Sequence, residues 1–257
     1  MKSKINKLMK LKGKSPIVCL TSYSKTLSEI IDKYCDLILV GDSVANVLYG
    51  MKNTHKVTLD MIINHAISVR LGTKKSLMVV DMPKNTYNNK IQAKKNALKI
   101  ITKTKCDAIK IESNKKNYSI IHYLSNSGIH VMGHIGYTPQ NKKKFKVEGI
   151  SKRDEIKLLM EAKEIEKAGA FSIVLECIAG KTSKKITKQL KIPTIGIGSS
   201  HHCDGQILVT DDMLGLSGFY PKFVKKYVEI NKVIDNSVQK YRNEVKKRKF
   251  PRSTNSY

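Results

Sequence analysis

At 257 residues, with 40% apolar content and a net charge of +27, the chain is long enough to bury a continuous core as one large domain without disulfides or a structural metal. No apolar run approaches the ~20 residues that cross a bilayer, and Met1 to Lys14 lacks the apolar stretch and cleavage site of a secretory signal; this excludes a membrane protein and leads to a cytoplasmic one as the expectation. The charge does not call for nucleic acid: the excess is lysine spread along the whole chain, arginine stands only at Arg70, Arg153, Arg242, Arg248 and Arg252, and tryptophan is absent, whereas phosphate forks and base stacking draw on arginine and aromatic residues.

The cysteines, Cys19, Cys35, Cys106, Cys177 and Cys203, are odd in number and scattered. Without C-x-x-C spacing they are expected to be small core residues rather than disulfides or zinc ligands. The adjacent His201, His202 and Cys203 are too close in sequence to converge on one tetrahedral ion.

In chain order, the apolar runs are Ile17 to Thr21, Leu37 to Gly41, Leu77 to Val80, Ala108 to Ile111, His130 to Gly133, Ser172 to Leu175, Thr194 to Ile197 and, more weakly, Gln206 to Val209. They are too short for helices and do not alternate, as suits parallel strands buried on both faces. Helical spacing lies between them. Thr58 is placed to cap a helix that buries Leu59, Ile62, Ile63 and Ala66 and ends at Gly72. Further helices fall near Ile91 to Thr104 and Tyr118 to Ser125. Ser151 with Asp154 resembles a capping box, opening a helix with Leu158, Ala162 and Ile165 inward and Gly169 as its stop, and another helix covers Ser183 to Leu190. Strand then helix, eight times over, predicts a single α/β domain over 1–257, a (β/α)8 TIM barrel with an N-terminal helical extension. An open doubly wound sheet uses the same units and is the alternative. Beyond Pro221, Ile230, Ile234, Val238, Tyr241 and Val245 repeat at helical spacing. They predict a C-terminal helical region over 222–250, packed on the barrel or a neighbouring subunit, with 251–257 as a frayed tail.

Barrels carry their active sites at the C-terminal rim, so the residue that closes each apolar run is the informative one. Here those residues are polar: Asp42 and Ser43, then Asp81, then Lys110 and Glu112, then His134, then Glu176. Any one could cap a helix or be solvated. Together they converge on one mouth, where clustered carboxylates repel unless a cation or proton offsets them. Asp42, Asp81 and Glu112 are hard oxygen donors of the kind Mg2+ takes. Lys110 and Glu112 share a strand face by period-two alternation, and a buried lysine there calls for an anionic partner. His134 reads equally as a substrate donor or a satisfied structural imidazole.

The segments Leu39-Val-Gly-Asp-Ser43, Val80-Asp-Met-Pro83, Ile109-Lys-Ile-Glu112, Gly133-His-Ile-Gly-Tyr-Thr-Pro-Gln140, Val174-Leu-Glu-Cys177, Ile195-Gly-Ile-Gly198, Cys203-Asp-Gly-Gln-Ile-Leu-Val209 and Pro221-Lys-Phe-Val224, in this order and spacing, resemble the ketopantoate hydroxymethyltransferase family. The resemblance runs from about Pro16 to Pro251. It implies Mg2+ held by Asp42, Asp81 and Glu112, substrate contacts from Asp42, Ser43, Asp81 and Lys110, to which His134 is added as a candidate, and Glu176 as proton acceptor. It further implies transfer of a one-carbon unit from 5,10-methylenetetrahydrofolate to 3-methyl-2-oxobutanoate, giving 2-dehydropantoate for pantothenate and coenzyme A, in a homodecamer.

The chain departs from the family's pattern at rim loops. Lysines replace a glycine pair in Asn141-Lys-Lys-Lys144, serine stands for glycine at Ser113 and Ser200, Lys84 replaces an aromatic residue, and Ser24 an aspartate. Two other readings compete: a Mg2+-dependent barrel lyase or mutase of the phosphoenolpyruvate mutase and isocitrate lyase type, and a weakened homologue whose charge serves binding.

Overall fold

The structure is a computed structural model that describes residues 2–142, 145–218 and 220–257. Lys143 and Lys144 of the altered loop lie outside the described residues. The chain forms two compact units, residues 1–209 and 210–257.

In the first unit, strands β1 (Ile17–Thr21), β2 (Leu37–Val40), β3 (Leu77–Asp81), β4 (Ala108–Glu112), β5 (Val131–Gly136), β6 (Ser172–Glu176), β7 (Thr194–Ile197) and β8 (Gly205–Leu208) pair in parallel and in chain order. β1 also pairs with β8, which closes the sheet into a barrel and rules out the open alternative. Between strands lie α2 (Lys25–Ile31), the short α3 (Val44–Val47), α4 (Leu59–Gly72), α5 (Lys90–Thr104), α6 (Tyr118–Asn126), α7 (Lys152–Lys167) and α8 (Gly180–Gln189), and α1 (Lys2–Met9) is the expected N-terminal extension.

Local chemistry sets the helix starts. The Thr58 hydroxyl accepts from the Met61 amide at 3.2 Å and the Ser151 hydroxyl from the Asp154 amide at 3.1 Å, each satisfying an amide that helix geometry leaves orphaned. α7 buries Leu158, Ala162 and Ile165 as its spacing requires, and Gly169 follows it with φ +94°. α4 ends at Gly72 as expected, and this glycine has a second reason. The cap of α4 is Thr73, in extended conformation. A Cβ on Gly72 would lie 2.4 Å from the Lys25 carbonyl oxygen and 2.7 Å from the Glu29 nitrogen, so glycine lets α2 and α4 touch backbone to backbone.

The core has two parts. One lies between strands and helices, through residues such as Ile38, Val40, Val80, Ile109, Ile111 and Ile173. The other fills the barrel. Leu37 and Leu39, Leu77 and Val79, Ala108, Met132, Val174 and Ile195 belong to it, joined by Ile5 and Leu8 from α1. Period two then fixes what stands above them. Asp81 continues the face of Leu77 and Val79, Lys110 and Glu112 that of Ala108, His134 that of Met132, and Glu176 that of Val174. The inward face is therefore apolar low in the barrel and charged at the strand C-termini.

The strands run further than the apolar pattern alone indicates. Asp81, Glu112 and Glu176 are the last paired residues of their strands rather than the first of the loops, and β5 continues past His134 to Gly136. At that end Gly136 has φ +93°, and a Cβ there would sit 2.1 Å from the Glu176 carbonyl oxygen. Only glycine fits between β5 and β6 at this point.

The second unit holds the short α9 (Thr210–Met213) and α10 (Ile230–Lys246). Of the helical region expected over 222–250, α10 covers Ile230–Lys246; ahead of it the Val224 amide on the Pro221 carbonyl closes a turn, and Glu229 pairs with Lys226 and with Lys232 in the first turn of α10. No residue of α10 is buried, and Val233, Ile234, Val238, Tyr241 and Val245 lie exposed along it. The tail expected to fray contains a 3-10 turn at Ser253–Asn255. All five cysteines are buried and free. Among the described residues no helix is long and apolar enough to cross a membrane.

Candidate active site

β2, β3, β4, β5 and β6 deliver the predicted residues to one end of the barrel. Lys110 donates to Asp81 Oδ1 at 2.7 Å, with both side chains buried. The two residues are register partners across β3 and β4, so the sheet itself sets this pair. The other oxygen, Asp81 Oδ2, accepts from the Asp42 amide at 3.0 Å and fixes the turn after β2.

Asp42 and Ser43 stand where helix caps are common, and neither caps. Ser43 precedes α3 but makes no side-chain capping bond; its hydroxyl lies 2.7 Å from the Tyr23 hydroxyl instead. Asp42 Oδ2 accepts from Gln140 Nε2 at 2.8 Å. Both side chains are thus spent on tertiary contacts, not on the local backbone.

Glu112 is buried under the loop that follows β5. Both of its carboxylate oxygens lie 3.1 Å from the Gln140 amide nitrogen, and Asn141 Nδ2 donates to Oε2 at 2.9 Å. The Glu112 carbonyl accepts from Asn117 Nδ2 at 2.9 Å.

His134 Nε2 lies 3.1 Å from Glu176 Oε2. Neither ring nitrogen makes a hydrogen bond of strict geometry among the described residues, and the Tyr137 backbone interacts with the ring. A buried imidazole left in that state has donor or acceptor capacity to spare for another molecule. Ser113, in place of the usual glycine, accepts from the His134 amide at 3.3 Å and so supports it from behind.

The electrostatics follow from putting four carboxylates, Asp42, Asp81, Glu112 and Glu176, around one buried lysine. Burial pushes Asp42 up to about 7, with the Asp81 charge adding and Lys110 opposing. Burial raises Glu112 well above the carboxylate range, and Asp42 adds to it. Glu176 is pushed up to about 8 by burial, while Lys110 pulls it down. Its side chain is still 18% exposed, so it meets both solvent and the interior. Burial and then the Lys110 charge hold His134 well below its ordinary value, which makes it neutral. Lys110 is raised despite burial, by Asp81 and Asp42.

This excess of buried acid over base fits a hard divalent cation. Among the described residues, no three or more His, Cys, Asp or Glu side chains are gathered closely enough to enclose an ion by themselves. Mg2+ needs no such cage, because it keeps water and substrate oxygens in its octahedron and takes only one or a few carboxylates. Asp42, Asp81 and Glu112 are donors of the right chemistry at one mouth.

The sequence reading did not single out Gln140, Tyr87, Tyr23 or Asn141. Gln140 sat inside a quoted segment, but an amide in a loop carries no periodic signal; Tyr87 lay in none. Of the departures from the family pattern, Ser113 and Ser200 have no positive φ, so their side chains cause no backbone strain. Ser24 caps α2 through the Leu27 amide at 3.4 Å, and Lys84 Nζ lies 3.5 Å from His55 Nε2.

The model of the family described as ketopantoate hydroxymethyltransferase matches residues 2–253 of the chain. A 3-methyl-2-oxobutanoate hydroxymethyltransferase of Pelagibacter ubique is 52% identical over 257 residues, covering 100% of both chains. One from Chelativorans sp. is 44% identical, covering 95% of this chain and 88% of its own. Among solved structures, a phosphoenolpyruvate phosphomutase from Streptomyces platensis subsp. rosaceus superposes with TM-score 0.66 at 10% identity, over 95% of this chain and 87% of that one. A phosphonopyruvate hydrolase does so with TM-score 0.60 at 10% identity, over 98% and 93%. At such identities the likeness is one of fold alone.

Proposed function

Because this chain belongs to the ketopantoate hydroxymethyltransferase family, we propose that it transfers a one-carbon unit from 5,10-methylenetetrahydrofolate to C3 of 3-methyl-2-oxobutanoate. The product is 2-dehydropantoate, on the route to pantothenate and coenzyme A. The observation that carries this reading is the pairing of a carboxylate titrating near neutrality, Glu176, with a charged cluster built around Lys110 and Asp81.

A base that must remove a carbon-bound proton near pH 7 works best with a raised pKa, because it then holds the proton strongly without being protonated throughout. Glu176, raised to about 8 by burial with no cation in the site, is mostly protonated at pH 7; the positive charge of a bound cation would lower it toward the working range. Glu176 takes the proton from C3, and the C–H electron pair moves toward the 2-oxo group as an enolate. Lys110 supplies positive charge where negative charge develops, and Ser43, held by Tyr23, a hydroxyl. Asp42, Asp81 and Glu112 are the residues that would hold Mg2+, which when bound supplies a Lewis acid for the 2-oxo acid's oxygens. Neutral His134, whose ring nitrogens make no hydrogen bond of strict geometry among the described residues, is a hydrogen-bonding partner for the substrate. One C–N bond of the folate methylene bridge opens, water adds to the methylene carbon, and cleavage of the second C–N bond releases tetrahydrofolate and leaves formaldehyde; the enolate carbon adds to the formaldehyde carbonyl, and the resulting alkoxide takes back the proton held by Glu176 to become the hydroxyl. The homodecamer and the cytoplasmic setting belong to the same proposal through the family.

The test is an assay with 3-methyl-2-oxobutanoate, methylenetetrahydrofolate and Mg2+, alongside Glu176→Gln and Asp81→Asn. Deuterium exchange at C3 without folate isolates the enolisation. Product and exchange from the wild type, both lost in Glu176→Gln, support the reading; no product, or unchanged rates in both variants, overturns it.

A further inference from the structure

The strand ends supply acids, and the loop after β5 supplies the donors that face them. Gln140 is buried and spends its polar side-chain atoms inside the site. Its Nε2 donates to Asp42 Oδ2 at 2.8 Å and to the Met82 carbonyl at 3.1 Å, and its Oε1 accepts from the Tyr87 hydroxyl at 2.5 Å. Its backbone N–H faces both Glu112 oxygens. One residue therefore reaches two of the three acids assigned to the cation.

The sense of the amide is not free. The Met82 carbonyl can only accept, as does the Asp42 carboxylate when ionised, so the amide nitrogen faces them. Reversed, the amide oxygen would meet both acceptors and leave their lone pairs opposed inside a buried site. Tyr87, a hydroxyl able to donate, secures the oxygen end.

We propose that Gln140 is a positioning residue that holds Asp42 and Glu112 in their cation-binding arrangement, and that Tyr87 acts through Gln140 by fixing the sense of its amide. The inference rests on the reading of this site as a Mg2+ site. Second-sphere hydrogen bonds of this kind orient ligands and are commonly worth about 10–100-fold in metal affinity.

The test uses the full chain and Mn2+ as probe, with free Mn2+ read by electron paramagnetic resonance in the absence of substrate, and thermal unfolding measured in a chelator. Gln140→Leu keeps the backbone N–H and the bulk but loses the amide. It is expected to weaken Mn2+ binding about 10-fold or more, and Tyr87→Phe by a smaller factor. The double variant is expected to match Gln140→Leu, because Tyr87 has nothing left to orient. A purely structural role would lower the chelator melting temperature and leave the Mn2+ Kd alone. An unchanged Kd in folded Gln140→Leu overturns the proposal. Additive losses in the double variant overturn the part assigned to Tyr87. Should Gln140→Leu not fold, an unchanged Kd in Tyr87→Phe is the overturning result. If the wild type itself binds no Mn2+, the metal reading of the site fails first, and that outcome is separate from the others.

Discussion

The two ends of the barrel interior are made from the same strands and the same inward face, yet they are built to opposite rules. Low in the barrel, Leu37, Leu77 and Ala108 pack with Ile5 and Leu8 of α1, an apolar fill that is stable in itself. At the strand C-termini the same face carries Asp81, Lys110, Glu112, His134 and Glu176, all largely removed from water. Burying charge is costly unless it is paired, and Lys110 serves only part of the need. One end is an apolar fill, and the other gathers buried acids whose charge one lysine only partly offsets.

That contrast is sharpened first at Glu176. Glu176→Gln is expected to lower kcat about 10²–10⁴-fold, the usual worth of a general base, while its melting temperature does not fall, since a buried carboxyl with pKa about 8 is already mostly protonated at pH 7. A melting temperature well below wild type would mean that Glu176 holds the fold together. Next comes Lys110→Met, which leaves Asp81 buried without its partner. Chemical denaturation should show a loss of about 3–5 kcal/mol, as for other broken buried pairs. The lower end should behave in the reverse way to Glu176. Leu8→Ala is expected to cost about 2–5 kcal/mol by cavity formation, read by the same denaturation, with KM for the 2-oxo acid unchanged; a raised KM would show that the two ends are coupled.

The smallest expected effect is on pH dependence. For Asp42, Glu112 and Glu176 the folded state binds protons more tightly than the unfolded chain, whose carboxylates titrate at about 4. Their contribution to stability is full below that pH and is lost as pH rises through about 7 for Asp42 and about 8 for Glu176. A cation that offsets the freed charge should restore it. The rise in melting temperature on adding Mg2+ is therefore expected to be larger at pH 8 than at pH 5. An increment that is flat or falls with pH would count against Mg2+ at this site.

Much of the fold was legible because strands and helix starts are written locally. The eight apolar runs, the caps at Thr58 and Ser151 and the buried face of α7 all follow from period and from orphaned amides. The family segments contain the candidate site residues, and the period-two face of Lys110 and Glu112 is the face that continues the barrel interior above Ala108. At some positions two demands meet. Gly72 ends α4 as its place predicts, and it also allows the contact between α2 and α4. The polar ends of β3 and β6 lie past their apolar runs yet stay paired, because a polar side chain breaks an apolar run without breaking the backbone ladder.

By itself the sequence determined that strands and helices alternate and that acids and a lysine close those strands; the pairing of β1 with β8 chose the barrel over the open sheet. Only the tertiary structure decided how those side chains are held. Gln140 reaches Asp42 across 98 residues and Tyr87 reaches Gln140 across 53. A hydrogen bond over such a separation leaves no period, cap or turn signature in the chain, because its geometry exists only once the barrel has closed and brought the loops after β2, β3 and β5 to one mouth.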